Sequence, residues 1–100
     1  GNIWYSKDPF FAGDKIEIHT IVFNSSDGVL TGTLDFYDGD KVIGSSPVNV
    51  PAGGRFQEIS VIWTVTEGYH KIFGIINSPK ITRKGASISI TLDNSKTLSD

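Results

Sequence analysis

The chain has neither cysteine nor methionine, and it contains only 3 alanines and 4 leucines among 100 residues. Without cysteine there is no disulfide framework, no thiol nucleophile and no zinc site held by thiolates. Alanine and leucine are the strongest helix formers, so their scarcity excludes an all-α protein and argues against an alternating βαβ enzyme. A domain of this length can bury a core without crosslinks, so the missing cysteines leave the cellular compartment open.

Charge of either sign and long apolar runs are also limited. The 9 basic and 11 acidic residues give a net charge of −2, which excludes a nucleic-acid-binding arm and a polybasic membrane anchor. No apolar run approaches the roughly 18 residues of a membrane span, and no secretory signal opens the chain. We therefore expect no nucleic-acid partner and no membrane insertion.

Isoleucine, valine and threonine are abundant, with 13, 7 and 8 residues. Their β-branched side chains suit pleated strands. Strand-like runs recur between turn residues at intervals of about eight to twelve residues, with no long helical period. The pattern predicts an all-β fold, an immunoglobulin-like antiparallel β-sandwich of seven to eight strands. The predicted strands cover residues 2–6, 15–23, 30–37, 47–50, 55–65, 69–76 and 87–92.

Turn residues set the boundaries between these runs. The stretch 38–41, Asp-Gly-Asp-Lys, predicts a hairpin because glycine tolerates the positive φ of such turns. Ser78-Pro79 predicts a loop that runs to Gly85. We expect one domain over residues 1–92 and a polar tail or linker over 93–100. Strands one, two and five are expected in one sheet, with the short fourth as a candidate member, and strands three, six and seven in the other.

The phase of each strand selects the side chains that face the core. Successive side chains of a strand point to opposite faces of the sheet, so the apolar phase faces inward. Loss of a large member such as Phe36 or Trp63 is expected to remove a large part of the stability. The predicted core consists of Ile16, Ile18, Val22, Leu34, Phe36, Ile59, Val61, Trp63, Ile72, Ile76, Ile88 and Ile90.

Short motifs occur in a characteristic order along residues 9–76. Pro9 is followed by residues 13–18, Gly-Asp-Lys-Ile-Glu-Ile, and then by Val22-Phe23-Asn24. Phe36-Tyr37-Asp38-Gly39-Asp40 with Ile43-Gly44 comes next, and Ala52-Gly53, Trp63 and Gly68-Tyr69-His70 complete the series. In order and spacing this series resembles the CARDB domain, the cell-adhesion-related domain found in bacteria. Residues 81–85, Ile-Thr-Arg-Lys-Gly, depart from the acidic, asparagine-rich stretch that this family often carries.

The resemblance implies an immunoglobulin-like module, usually one of several in a long secreted or surface protein. Such modules space, stiffen and sometimes adhere, and they are not known as catalysts. Fold analogy alone does not establish a function, and a related bacterial immunoglobulin-like family is the alternative assignment.

The two histidines are the first candidates for catalysis or metal binding. His19 alternates outward with Glu17 and is expected to be a solvated surface residue. His70 is in phase with Ile72 and is expected to face the core, where sandwich domains often place a residue whose polar end bonds to nearby backbone. Neither Gly-x-Ser-x-Gly nor His-Glu-x-x-His occurs. We expect neither an enzyme nor a cofactor.

Three acidic residues, Asp35, Asp38 and Asp40, bracket the predicted hairpin. Their carboxylates could bind calcium, but a calcium ion takes about six to eight oxygen ligands and no glutamate completes this group. Aspartate is also preferred in turns. We therefore favour a role in the turn over a weak calcium site, and expect no metal.

Aromatic residues cluster near the first strand, at Trp4, Tyr5, Phe10 and Phe11. Planar rings can stack on sugar faces, so a carbohydrate-binding module is the alternative function. The structural interpretation is that Phe10 and Phe11 close one end of the core. Trp63, in phase with Ile59, is expected inside the core.

Several large apolar residues fall on the faces expected to meet solvent. Neighbouring exposed apolar residues form patches that monomers rarely leave open. Two interpretations are open. In the first, residues 78–85 or the tail cover one patch; in the second, a patch contacts a neighbouring module or a second copy of the chain. Phe73 and Ile75 are the favoured contacts, because their neighbours in sequence already fill the core. The candidate interaction surface consists of Ile21, Phe23, Ile62, Tyr37, Tyr69, Phe73 and Ile75.

The function predicted from these features is that of a non-enzymatic extracellular or cell-surface module with a spacer or adhesive role. Asn24-Ser25-Ser26 matches the glycosylation acceptor pattern, but a match this short is weak support for secretion.

Overall fold

A computed structural model of the chain describes residues 2–90 and the backbone of residues 96–98. The described residues form β-strands joined by turns. Every strand pairing is antiparallel. The strands are β1 (Ile3–Tyr5), β2 (Lys15–Asn24), β3 (Val29–Asp38), β4 (Lys41–Val50), β5 (Arg55–Thr64), β6 (Ile72–Arg83), β7 (Ala86–Ser89) and β8 (Lys96–Leu98).

The strands form two sheets packed face to face, which confirms the predicted β-sandwich. The small sheet has the order β1-β2-β5. The large sheet has the order β4-β3-β6-β7, and β8 also pairs with β6. The fourth strand therefore does not join the first, second and fifth. Immunoglobulin constant-type domains place their fourth strand in that sheet, so the immunoglobulin-like assignment stays a prediction.

The hairpin predicted at residues 38–41 explains the position of β4. Asp38 pairs with Lys41, so a two-residue turn of Gly39 and Asp40 joins β3 to β4, and Gly39 has a φ of 63°. A turn this tight forces the second strand to lie beside the first. As a result β4 is a ten-residue strand of the large sheet, longer than the predicted segment 47–50.

The loop predicted over residues 78–85 is instead mostly strand. β6 continues through Ser78-Pro79 to Arg83, and only Lys84 and Gly85, both with positive φ, form the turn to β7. Proline and a turn residue predict a break because proline cannot donate a ladder hydrogen bond. The strand accommodates them through a β-bulge, which leaves one residue of the ladder unpaired.

The bulge lies between the pairs Thr31↔Lys80 and Thr33↔Asn77, where β6 has one residue more than β3. Gly32 lies opposite, and a Cβ there would come within 3.0 Å of the Asn77 carbonyl oxygen. Because of the extra residue, the positions of β6 that face the core shift by one after the bulge. Ile72 is buried before the bulge and Ile81 after it, although their positions differ by an odd number.

The two short strands at the edge of the large sheet also differ from prediction. Ile88, predicted in the core, is 56% exposed. It pairs with the buried Ile81. However, β7 is the edge strand of the large sheet, and the small sheet has only three strands and does not cover that edge. The β8 backbone pairs with Phe73–Ile75, so the large sheet includes part of the segment predicted as a tail.

Most of the predicted core is buried between the sheets. The buried members are Ile16, Ile18, Val22, Leu34, Phe36, Ile59, Trp63 and Ile72. Val61, Ile76 and Ile90 are partly buried and pack against this core. The structure adds Ile3, Leu30, Val48, Val50, Val65 and Ile81.

We call the end of the sandwich formed by residues 25–28, 51–54 and 84–85 the upper end. Asn24, only 3% exposed, holds it together. Its Nδ2 donates to the carbonyl oxygens of Gly28, Val50 and Pro51, and its Oδ1 accepts from Ser26. Because Nδ2 is the atom that a glycan would modify, the folded chain does not present this acceptor pattern.

The lower end is formed by residues 6–14, 39–40 and 65–71. The loop before β2 is tied to the end of β5, because Gly13 N–H donates to the Val65 carbonyl oxygen and Val65 N–H donates to that of Asp14. Asp14 also accepts from Lys7 Nζ at 2.8 Å and from the Phe11 amide. The lower end is therefore closed by backbone bonds and an exposed ion pair.

Candidate functional site

The outer face of the small sheet carries exposed apolar side chains. As predicted, Ile21, Phe23 and Ile62 are exposed, by 47%, 61% and 61%. Phe56 is 64% exposed and lies directly opposite Phe23 on β5. We call these four residues the apolar strip; Ile21, Phe23 and Phe56 adjoin, whereas Ile62 lies opposite Glu17, beyond Glu58 and Ser60 on β5. Sequence reasoning missed Phe56, although the alternation of β5 places it on the same face as Ile62.

His19, predicted to be solvated, is mostly covered, with its side chain 16% exposed. The Trp4 ring stacks on it from β1, with centroids 5.5 Å apart and an angle of 8° between planes. Glu17 and Glu58 each approach an imidazole nitrogen to 3.7 Å. The prediction was wrong because β1 lies directly beside β2, with Trp4 opposite His19.

On the outer face of the large sheet, the predicted surface residues are less exposed than those on the small sheet. Phe73, one of the two favoured contacts, is buried, while Tyr37 and Ile75 are half-buried; cover by the tail was the alternative expected for such a patch. Tyr37 stacks on Phe73 with centroids 5.2 Å apart, and the β8 backbone pairs beside it. Tyr69 is 93% exposed, but it lies in the loop before β6. The seven candidate residues therefore do not form one surface.

A cluster of rings closes the core at the lower end. Tyr5 contacts Phe10 at 4.9 Å, Phe10 contacts Trp63 at 6.0 Å, and Trp63 contacts His70 at 5.1 Å between ring centroids. Phe10 packs against the core as expected. Phe11 does not, since it is 64% exposed and lies beneath the Lys7 ammonium.

His70 fastens two segments of the lower end. Its Nε2 lies 2.6 Å from the Thr66 carbonyl oxygen, and its Nδ1 lies 2.6 Å from Asp38 Oδ2. The bond to backbone a few residues upstream is the one the sequence predicts. Asp38 is a partner that the sequence does not indicate, because 32 positions separate the two residues.

Both partners of His70 are hydrogen-bond acceptors, so the imidazolium, with N–H on both nitrogens, fits the site. The hydrogen bond to Thr66 and then the Asp38 carboxylate raise the His70 pKa above its usual 6.5, against the effect of burial. With both nitrogens donating, His70 has no free nitrogen to serve as a general base.

The acidic residues around the hairpin bond to donors of the protein. Asp35 accepts from Ser45 and Asn77, each at 2.5 Å. Asp38 accepts from His70 and from the Lys71 amide, while Asp40 is exposed. In the part of the chain that the structure describes, no group of three or more histidine, cysteine or acidic residues could hold a metal ion.

A cavity of about 440 Å³ opens at the lower end beside β1. Three of the four aromatic residues singled out in the sequence line it, and Phe11 does not. Asp8 and His70 supply the polar groups of the wall. The lining residues are Ile3, Trp4, Tyr5, Asp8, Phe10, His70 and Ile72.

Comparisons with protein-family models, curated proteins and solved structures found no significant match to this chain. No helix among residues 2–90 is long and apolar enough to cross a membrane.

Proposed function

We propose that this chain is a non-enzymatic module of a larger extracellular or cell-surface protein, with a spacer or adhesive role. The resemblance of residues 9–76 to the CARDB domain motivates the extracellular setting. The apolar strip is the observation that carries the contact role. Its surface, built from Ile21, Phe23, Phe56 and Ile62, meets a neighbouring module or a second copy.

The strip supports a contact role because its side chains are exposed and its backbone belongs to two strands that pair along their whole length. Its residues lie on β2 and β5, which pair continuously from Lys15↔Thr64 to Asn24↔Arg55. Burial of apolar surface contributes about 25 cal/mol for each Å² removed from water. Phenylalanine is among the residues enriched at the centres of protein interfaces, and here Phe23 and Phe56 form a cross-strand pair.

The direction of the outer strands supports the spacer role. β1 runs toward the lower end, because it is antiparallel to β2, whose last residue, Asn24, lies at the upper end. β8 also runs toward the lower end, since it is antiparallel to β6. The first and last described strands therefore run in the same direction, as in modules joined in series.

The test compares the chain with a double variant, Phe23→Ser with Phe56→Ser. Sedimentation velocity over a wide concentration range measures self-association, and thermal unfolding of two copies joined in series measures docking between neighbours. We expect the unaltered strip to give association or a raised midpoint in the joined pair, and the double variant to give neither.

The matched control is Phe11→Ser with Tyr69→Ser, which removes two exposed rings from the lower end. This control should show the same self-association and the same midpoint in the joined pair as the parent chain. The proposal is wrong if the parent chain neither associates nor gains stability when joined, or if the control loses as much as the strip variant.

A further inference from the structure

We infer that the cavity at the lower end binds an uncharged sugar residue of a polysaccharide. This site is separate from the apolar strip and does not depend on its contact role. It combines two rings, Tyr5 and Phe10, with Trp4 at the rim, a carboxylate and an apolar floor in a space of about 440 Å³, within the range of small-molecule pockets.

The apolar part of the cavity suits the C–H face of a pyranose ring. Ile3 and Ile72 are buried at 5% and 3% exposure and form the floor. Trp4 lies at the rim of the cavity, because its ring is on the outer face of the small sheet, stacked on His19, and it remains 40% exposed. Phe10 and Tyr5 meet at 60°. The two rings therefore form an open corner. They do not form the pair of parallel rings between which a planar nucleobase would stack.

The polar part of the cavity decides the charge of the ligand. Asp8 is exposed, so its carboxylate oxygens can accept hydrogen bonds from sugar hydroxyl groups. The positive charge of His70 is already matched by Asp38 at 2.6 Å. An acidic sugar would therefore meet the Asp8 carboxylate and, among the residues that line the cavity, no free cation, whereas an uncharged sugar meets neither obstacle.

The experiment is affinity electrophoresis in native gels that contain one soluble polysaccharide each. Mixed-linkage β-glucan, glucomannan, hydroxyethylcellulose and dextran are the neutral probes, and polygalacturonate is the acidic probe. We expect retardation by at least one neutral polymer and none by polygalacturonate. Trp4→Ala and Asp8→Asn should each weaken the retardation about tenfold, the equivalent of roughly 1.4 kcal/mol.

Two controls locate the binding. Phe11→Ala removes a neighbouring ring outside the cavity, and Phe56→Ala removes a ring of the apolar strip; both should be retarded like the parent chain. In Trp4→Phe, Trp63 is the remaining tryptophan, so the contribution of Trp4 to the fluorescence change seen with the bound polymer should be lost. Circular dichroism confirms that each variant is folded.

Several outcomes would overturn the inference. Retardation by none of the neutral polymers, stronger retardation by polygalacturonate, or full retardation of folded Trp4→Ala and Asp8→Asn would each do so. Loss of retardation in Phe56→Ala alone would place the binding on the strip and not in the cavity.

Discussion

The two ends of the sandwich are held by different chemistry. At the upper end a neutral amide, Asn24, bonds to three carbonyl oxygens and to Ser26. At the lower end a charged ring, His70, bridges Asp38 and Thr66 and packs against Trp63. Both residues join loops that are distant in sequence. Of these two sets of hydrogen bonds, only that of His70 requires a titratable proton, because both of its nitrogens must donate. The stability of the two ends should therefore respond differently to pH.

The largest expected effect is at the lower end. Trp63→Ala removes a ring that is 7% exposed and contacts both Phe10 and His70. We expect a loss of about 3–5 kcal/mol in the free energy of unfolding, because the remaining cavity cannot collapse fully. Urea unfolding monitored by circular dichroism measures it. A midpoint equal to that of the parent chain would contradict the packing of this end.

The next effect is at the upper end. Asn24→Ala leaves buried carbonyl oxygens without a donor and should cost about 2–3 kcal/mol. The loss should be the same at pH 6 and pH 9, because no proton is involved. Ser25→Ala, at the exposed neighbouring position, is the control and should unfold like the parent chain. A loss for Asn24→Ala that changed with pH would contradict the comparison.

His70 should make the chain less stable as the pH rises. Its pKa is raised in the folded state, so the extra stability is fully present below its unfolded value of about 6.5 and is lost as the pH passes the folded value. At pH 6, His70→Phe should cost on the order of 1–2 kcal/mol through lost charge-assisted bonds. Thermal midpoints measured between pH 6 and pH 9 test this.

The matched control for the pH series is His19→Gln, which should keep the decline with rising pH. His70→Phe should abolish the decline while retaining a ring against Trp63. If the parent chain and His70→Phe follow the same curve, His70 is not the group responsible.

The smallest effect should come from the exposed ion pair of Asp27 with Arg83 at the upper end. Arg83 lowers the pKa of Asp27, but the Asp27 side chain is 80% exposed, and solvent screens such pairs. Asp27→Asn should therefore leave the unfolding midpoint unchanged within error at neutral pH. A clear shift would show that charge contributes to the upper end as well.

Alternation along the strands predicted much of the fold, and it failed where the ladder changes register. Residues 15–23 were predicted as a strand with Ile16 and Ile18 inside, and both are buried. Ile81 in the core was missed because Ser78-Pro79 predicted a loop over residues 78–85, whereas β6 continues there through a bulge. Single-strand patterns cannot show a bulge of this kind, because it is defined by the pairing with β3.

The candidate site was predicted in part. The sequence places Trp4, Tyr5 and Phe10 close together, and all three line the lower cavity. It also predicts that His70 bonds to nearby backbone. It could not indicate that Asp38, at the β3–β4 hairpin, would reach His70, because that contact depends on how the hairpin packs against the loop before β6.

Within the regular strands the sequence by itself determined which side chains point outward, and the tertiary structure decided which of those remain exposed. Phe23 and Phe73 are both large apolar residues at outward positions of their strands. Phe23 remains 61% exposed, whereas Phe73 is buried beneath Tyr37 and beside β8. Pleating sets the direction of a side chain within its own strand. Exposure is set by whatever other segment lies over that position, and that is a property of the folded chain alone.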